Sequence, residues 1–240
     1  MVEHSPHGIG ALVFDFLGVL TWLLDSENWE GRYGLPNLVA EHLSLTLLAI
    51  GLAALLALPM GLGIGHTGKG GALVVLLGSA SRAIPTMGLL FALVMLMGVE
   101  LRELAVVLAL VAIAFPPILT GAYSGITAIQ AHVTDSARAQ GMTASQLIRH
   151  VEIPLAMPAI IGGFRIAWIQ VVSTVVLAPL IGLGGLGFGI IQGLALRNFE
   201  QVVASALLIV LITIVGDQLL GFAQKSQALK LENSSGGRNT

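Results

Sequence analysis

The sequence predicts an all-α polytopic membrane protein with about six transmembrane helices. Of its 240 residues, 55% are hydrophobic and only 10% are charged, and the mean hydropathy is +0.91. These values are typical of chains that cross a bilayer several times. Long apolar runs also alternate with short polar stretches along the chain. Each run would then supply one membrane-spanning helix.

Charge and cysteine content exclude several other classes of protein. The formal net charge is −2, which gives no basic surface for nucleic acid. The chain has no cysteine, so it can form neither a disulfide framework nor a thiolate metal or redox site.

The first apolar run, residues 9–24, is short for a membrane span and is interrupted by Asp15. The residues before it lack lysine and arginine, and no small-residue cleavage site follows. A retained first span or an interfacial helix is therefore favoured over a signal peptide. Asp15 could pair with an intramembrane arginine. Residues 25–41 are polar and acidic, so we assign residues 1–41 to an N-terminal span and an extracytoplasmic connection.

Five further spans are predicted between residues 42 and 222. Ile84-Pro85 should kink the second of them, because proline removes a helical hydrogen bond. The third carries a Pro-Pro pair near its far end and is expected to continue, bent, to about Ile126. The predicted spans are residues 43–64, 72–97, 104–118, 156–181 and 202–222. Residues 223–240 form a polar tail, whose serine, glycine and asparagine content from residue 225 onward predicts disorder.

The distribution of lysine and arginine predicts the orientation. If residues 134–154 lie in the cytoplasm, most of the basic residues outside the spans lie on the same side. With six spans, both termini are then cytoplasmic. The residues on that side are Lys69, Arg138, Arg149, Lys225, Lys230 and Arg238.

Residues 134–154, called the elbow below, are a polar island between two apolar runs. Thr134 is positioned to N-cap a first short helix, which Gly141 should end. Thr143 opens a second helix, with Gln146 in capping-box spacing. Pro154 is expected to close that helix, because the residue before a proline avoids the α region. A compact, capped, half-polar segment suits a docking surface, and an ordinary cytoplasmic loop with local helix is the alternative.

The elbow resembles the EAA loop of ABC importer permeases, whose pattern is E-A-A, three residues, G, nine residues, I, any residue, L-P. The spacing is kept without a gap, although an aspartate replaces the glutamate and a serine replaces the first alanine. In that family the loop forms coupling helices that sit in a groove on the ATP-hydrolysing subunit, where small residues let the partner's surface come close. The matching positions are Asp135, Ser136 and Ala137 for E-A-A, Gly141 for the glycine, Val151 for the isoleucine, and Ile153 and Pro154 for L-P.

The order of parts from residue 42 to residue 222 resembles the five-helix core of type I, binding-protein-dependent ABC importer permeases. Four short motifs look most like the branch that imports glycine betaine, choline or carnitine. The extra first span is also similar to that branch. Related amino-acid permeases share the glycine pattern, so import of an amino acid such as methionine is the alternative. The motifs are Glu41-His42-Leu43 with Thr46, Ile84-Pro85-Thr86, Gly162-Gly163-Phe164-Arg165 and Gly184-Gly185-Leu186-Gly187.

The resemblance implies partners rather than chemistry within the chain. ATP and Mg²⁺ would bind a separate ATPase subunit, and the chain itself would hold no cofactor. A second copy of the permease, or a homologous permease, would supply the other half of the pathway. An extracytoplasmic binding protein would deliver the solute. The expected location is a bacterial-type cytoplasmic (inner) membrane, crossed several times.

Two glycine-rich segments match nucleotide-binding patterns only in part. Residues 63–70 are one residue from a P-loop, but Gly70 lacks the hydroxyl that would bind Mg²⁺, which favours a cytoplasmic turn. Residues 182–187 fit G-x-G-x-x-G without the strand and ribose-binding acid that a dinucleotide site needs. A flexible or re-entrant segment at the outer mouth is the better interpretation, since irregular backbone at membrane depth lines water or is buried in protein.

Arg165 is the most costly residue in the predicted spans, because an arginine near a helix centre costs about 2.5–3.5 kcal/mol on insertion scales. A structural ion pair and a pathway or gate role both explain it. Arg82 and Asp217 lie nearer the ends of their spans and are predicted to be structural anchors. Phe164 and Trp168 are the main aromatic candidates for contacting a quaternary ammonium group. Single rings give only about 0.5–2 kcal/mol, so tight recognition is expected in a separate binding protein.

Catalysis by this chain is not predicted. His42, His66, His132 and His150 lack metal-ligand spacing, and no nucleophile–base arrangement stands out. A secondary carrier, the remaining transport alternative, would need inverted repeats or more intramembrane acids. Together with these absences, the family resemblance implies a transport subunit, with ATP hydrolysed by a partner.

Overall fold

The computed structural model describes residues 16–83 and 85–236, without the side chains of residues 16, 80–83 and 232–236. Predictions for Asp15, Ile84, Arg238 and the Arg82 side chain therefore lie outside the described residues. The described part of the chain is helical, without strands. The α-helices are α1 (Phe16–Leu24), α2 (Leu35–Thr67), α3 (Gly71–Ala83), α4 (Thr86–Met97), α5 (Arg102–Thr127), α6 (Ala131–Ala139), α7 (Ala144–Leu147), α8 (Ile153–Val175), α9 (Gly187–Leu196) and α10 (Phe199–Gly236).

Within the described residues, four helical segments are long and apolar enough to cross a membrane. They are Leu35–Thr67, Val99–Thr127, Ala144–Val175 and Phe199–Leu231. Helix α2 packs against α5, α5 against α8, and α8 against α10, while α3 and α4 pack on α5. This arrangement confirms the all-helical polytopic fold.

Small residues bring α5 and α8 into close contact. A Cβ atom added at Gly121 would lie 2.8 Å from the carbonyl oxygen of Ala159, and one added at Gly163 would lie 2.6 Å from that of Pro117. Gly125 meets Ala156 in the same way. In lipid, where the solvent is as apolar as the side chains, close backbone packing of this kind drives helix association.

We expect Gly163→Val to force α5 and α8 apart. The added side chain meets backbone atoms that cannot rotate away, so the cost should be about 1–3 kcal/mol and the Tm in detergent should fall by several degrees. The matched control is Gly51→Val, because nothing lies within 4 Å of a Cβ atom there. Equal Tm shifts in the two variants would contradict the role assigned to Gly163.

Two predicted boundaries in the first half of the chain were wrong. Residues 25–41 are not all connection, because α2 begins at Leu35 with Gly34 as N-cap and Pro36 in the first turn, where its missing N–H is tolerated. The second core span is interrupted rather than kinked. Helix α3 ends at Ala83, and Pro85 has the extended backbone of an N-cap (φ −65°, ψ 111°) before α4.

The end of the chain is also more helical than predicted. Residues 223–236 continue α10 instead of forming a disordered tail, because alanine, glutamine, lysine and leucine favour propagation of an existing helix. The segment after the glycine-rich stretch forms α9, a short apolar helix that packs against α10. The predicted flexible or re-entrant segment at residues 182–187 therefore ends where α9 begins, at Gly187.

Candidate functional site

The first helix of the elbow starts earlier than predicted. Helix α6 begins at Ala131, after Gln130 in an extended conformation. Thr134 is not an N-cap, because its hydroxyl lies inside the helix and donates to the carbonyl oxygen of Ala131 at 2.9 Å. The capping assignment was wrong because residues 131–133 also adopt helical geometry, which the local pattern did not reveal.

Gly141 ends α6 as predicted. It has a left-handed conformation, with φ +83°. Its N–H donates to the carbonyl oxygen of Arg138 at 2.9 Å, and the N–H of Met142 donates to that of Ala137 at 3.3 Å. This pair of hydrogen bonds is a Schellman motif, which satisfies the last carbonyl groups of a helix and turns the chain sharply.

Thr143 and Gln146 form the predicted capping box. The side chain of Gln146 accepts a hydrogen bond from the Thr143 N–H at 2.8 Å, and the Thr143 hydroxyl accepts one from the Gln146 N–H at 3.4 Å. The two short helices of the elbow are thus joined by a turn in which both ends are capped.

Pro154 does not close the second helix, contrary to prediction. Residues Ile148–Glu152 form a π-helical turn, and the helix continues into α8, so that Ala144–Val175 is one continuous segment. A proline lacks the N–H for the helical hydrogen bond, and its ring crowds the carbonyl group four residues earlier. The wider π turn removes this conflict. The second elbow helix and the fourth core span therefore form one rod.

The residues predicted to dock a partner divide into two groups. Asp135, Ser136 and Gly141 are exposed on the surface of the elbow, and Asp135 lies 3.4 Å from Arg138 in an exposed ion pair. Pro154 is also exposed. The other three pack wholly or partly inside: Ala137 is buried, and Val151 and Ile153 are half-buried. The first group can meet another protein, while the second holds the elbow in shape.

A buried polar contact that was not predicted from the sequence lies at the base of the elbow. The Nδ1 atom of His66 lies 2.9 Å from both carboxylate oxygens of Glu152, whose side chain is only 3% exposed. Glu152 occupies the position that the EAA pattern leaves open. The available signal was an acid four residues after Ile148, on the apolar face of the helix.

Arg165 is held between α8 and α10. Its Nε and Nη2 atoms donate to the two carboxylate oxygens of Asp217 at 2.8 and 2.9 Å, and Nη1 donates to Gln224 at 2.9 Å. Gln224 in turn donates to the carbonyl oxygen of Pro158 at 2.8 Å. This geometry supports the ion-pair alternative for Arg165 and the anchoring role of Asp217.

The two aromatic candidates for the pathway both pack against other helices of the bundle. The indole N–H of Trp168 donates to the carbonyl oxygen of Thr213 at 3.1 Å, and its ring lies directly against Gly216. Phe164 is half-buried against the core clusters of the protein. Neither residue, nor Arg165, lines the groove that lies between α3, α5 and α8.

That groove, called the membrane groove below, lies between α3, α5 and α8 and has a volume of about 610 Å³. It is lined mainly by apolar and glycine residues. Among the described residues, no charged side chain lines it. Its polar side chains are Ser79, Thr120, Tyr123, Ser124 and Gln170.

A second cavity, of about 630 Å³, lies at the end of the helices opposite the elbow and is called the outer mouth below. It adjoins the start of α2 and α5 and the segment after α8, whereas the elbow adjoins their other ends. Tyr33 stacks on Phe188 there, with ring centroids 4.2 Å apart. Its charged side chains are Arg32, Glu41, Arg102 and Glu103.

Helix α2 holds the glycine-rich segment beside the outer mouth. The carboxylate of Glu41 accepts a hydrogen bond from the N–H of Gly185 at 3.1 Å and fills the space that a side chain at Gly184 would need. His42 is fully buried, and its Nε2 donates to the carbonyl oxygen of Val172 at 3.0 Å. Glu41 therefore holds the glycine-rich segment against α2, and His42 joins α2 to α8.

Comparison with known families finds one match, over most of the chain. Residues 35–229 match the model described as the binding-protein-dependent transport system inner membrane component. The matched range contains the elbow, the membrane groove and most of the outer mouth.

Curated relatives of similar sequence are permease proteins. The choline transport system permease protein OpuBB of Bacillus subtilis (strain 168) is 31% identical over 77% of this chain and 84% of its own length. The glycine betaine/carnitine/choline transport system permease protein OpuCB of the same organism is 32% identical with the same coverage. The osmoprotectant import permease protein OsmW of Salmonella typhimurium is 32% identical over 85% of this chain and 94% of its own length.

A similar fold occurs in a solved transporter structure. A chain of the MetNI methionine ABC transporter, in inward-facing conformations, superposes with a TM-score of 0.62 over 78% of this chain and 94% of its own. The two sequences are 24% identical, so the likeness concerns the fold.

Proposed function

The chain belongs to the binding-protein-dependent transport system inner membrane component family, and we propose that it is the membrane subunit of an ATP-driven importer of quaternary-ammonium osmoprotectants. The observation that carries this proposal is the elbow. It is a compact pair of capped helices at one end of a membrane bundle, and its second helix runs without a break into a core span. A push on the elbow would therefore move a helix that lines the membrane groove.

The ATPase would dock on the exposed face of the elbow. Asp135, Ser136 and Gly141 present one carboxylate and little side-chain bulk, which lets another protein's backbone approach closely. Ala137, Val151 and Ile153 would support that face from behind. ATP and Mg²⁺ would bind the ATPase, and this chain would transmit the motion.

The membrane groove would form half of the solute pathway, completed by a second copy or a homologous permease. Its hydroxyl and amide groups can hydrogen-bond a solute weakly. Because no charged side chain lines it among the described residues, a solute would not be bound too tightly to leave. A methylated ammonium group suits such a lining, because its charge is spread over apolar surface. Tight recognition would belong to an extracytoplasmic binding protein, which would meet this chain at the outer mouth.

The direction of the helices supports the proposed location. We place the chain in the cytoplasmic (inner) membrane with the elbow inside. Helix α10 starts near the outer mouth and runs back along α8, whose first turn adjoins the elbow, so the end of α10 would also lie inside. Positive charge on this side agrees with the general bias of membrane proteins.

Uptake measurements would test the substrate. Cells expressing the whole system should take up radiolabelled glycine betaine, choline or carnitine, and uptake should rise with osmolarity. The relatives named above, which carry these solutes in their names, support this choice over methionine, which has only a likeness of fold behind it. Methionine uptake with no response to betaine would overturn the substrate while leaving the importer standing.

A further inference from the structure

The contact between His66 and Glu152 joins two helical segments that are 86 residues apart in the chain. His66 lies in the last turn of α2, just before Gly68 ends that helix. Glu152 is the last residue of the π turn between the elbow helix α7 and the core helix α8. The contact therefore ties the end of one core span to the rod that carries the elbow.

The contact is costly to break. An ionised carboxylate only accepts hydrogen bonds, so with Glu152 in that form the Nδ1–H of His66 is the donor. Within the described part of the chain, His66 is the only hydrogen-bond partner of the Glu152 carboxylate. Because that carboxylate is buried, separation would leave it without a partner in a site that water hardly reaches. The two residues should therefore move together.

Helix α2 also reaches the other end of the molecule. It runs from His66, beside the elbow, to Glu41, whose carboxylate accepts the hydrogen bond of Gly185 in the glycine-rich segment at the outer mouth. A displacement passed to His66 would act through one continuous helix, Leu35–Thr67, on the segment that borders the mouth. Helix α8 also packs against α2 and accepts the His42 hydrogen bond through Val172, so the His66–Glu152 contact adds a polar link between them at the elbow end.

We propose that His66 and Glu152 are positioning residues that carry the motion of the elbow to α2, and thereby couple ATP hydrolysis to opening of the outer mouth. The proposal rests on the function proposed above. It adds a second mechanical route beside α8, through a residue at the open position of the EAA pattern. The alternative is that the pair only stabilises the fold.

Three alanine variants separate these two roles: His66→Ala, Glu152→Ala, and both together. If the pair only stabilised the fold, His66→Ala should be by far the worst, because it leaves a buried carboxylate unpaired, and the double variant should recover. If the pair transmits motion, all three variants lose the contact between α2 and the elbow. We then expect solute uptake per ATP hydrolysed to fall about tenfold in each, with no recovery in the double variant.

The measurement uses proteoliposomes that contain the permease, its ATPase and the binding protein, with uptake and ATP hydrolysis followed in the same vesicles. Co-purification of the ATPase should be unchanged, because Asp135, Ser136 and Gly141 are intact. Failure of the wild-type system to import any osmoprotectant would overturn the proposed function itself. Normal uptake per ATP in the three variants, beside a working wild type, would overturn only the coupling role.

A covalent link provides a second test that does not depend on stability. The chain has no cysteine, so His66→Cys with Glu152→Cys introduces a single pair of thiols. Before treatment this variant should be uncoupled like the alanine variants. Joining the thiols with a short cross-linker should restore uptake per ATP several-fold, because the two helices are again held together. No gain, or further inhibition, on cross-linking would contradict the proposal.

Discussion

Gly141→Asp is expected to leave the protein in the membrane and to reduce solute uptake at least tenfold. Gly141 ends α6 in the left-handed region, with φ +83°, and no atom lies within 4 Å of an added Cβ. Aspartate is among the residues that tolerate this conformation, so folding should survive at a cost of about 1 kcal/mol. The new carboxylate would stand on the face that we assign to the ATPase and would hold the two proteins apart.

The matched control for this variant is Gly68→Asp. Gly68 also has a positive φ, +69°, with nothing within 4 Å, and it ends α2 on the same side of the protein as the elbow. Backbone strain and added charge are therefore alike, and only the position differs. Substrate-stimulated ATP hydrolysis in reconstituted vesicles is the measurement. Near-normal stimulation in Gly141→Asp, or an equal loss in Gly68→Asp, would show that the elbow is not the docking surface.

Arg165→Gln is expected to lower the amount of protein in the membrane several-fold and to lower its Tm. The substitution leaves Asp217, which is only 19% exposed, without its cationic partner between two spans. The Arg165 side chain is 34% exposed, so breaking the pair from one side should cost less than the about 3–5 kcal/mol of a fully buried pair. Arg149→Gln, at an exposed arginine of the elbow, is the control for the loss of a guanidinium group.

The double variant Arg165→Gln with Asp217→Asn distinguishes the ion pair from a gate. With both charges removed, the unpaired acid is gone, and the membrane level and Tm should recover most of the loss. A gate residue would behave differently. The single variant would then be present at a normal level with impaired uptake, and neutralising Asp217 would not restore it.

Features that depend on neighbouring residues in the chain were predictable. The apolar runs indicated the spans, because each must cross the hydrocarbon and satisfy its own backbone. Gly141 as a helix end and the Thr143–Gln146 capping box also followed from the sequence, since both involve hydrogen bonds within a few residues. The match of residues 35–229 to a permease family agrees with the resemblance first seen in the elbow.

Local rules failed where the outcome depended on continuation of a helix. Pro154 predicted an end, but a proline excludes only the regular hydrogen bond, and a π turn keeps the helix continuous when the flanking segments are held in place. Thr134 predicted a beginning, but the preceding residues were also helical. In both cases the local sequence identified a residue that is typical of a helix end, but it did not show how far the helix extends.

By itself, the sequence determined the class of protein, its apolar spans and the elbow with its small exposed residues. Only the tertiary structure decided which polar side chains meet inside the bundle. Arg165 finds Asp217 at a distance of 52 residues along the chain, and His66 finds Glu152 at a distance of 86. Arg165 and His66 could each have met a different acid, because the lipid environment requires only that a charge inside the membrane be paired. The packing angle and rotation of each helix determine which residue the partner is.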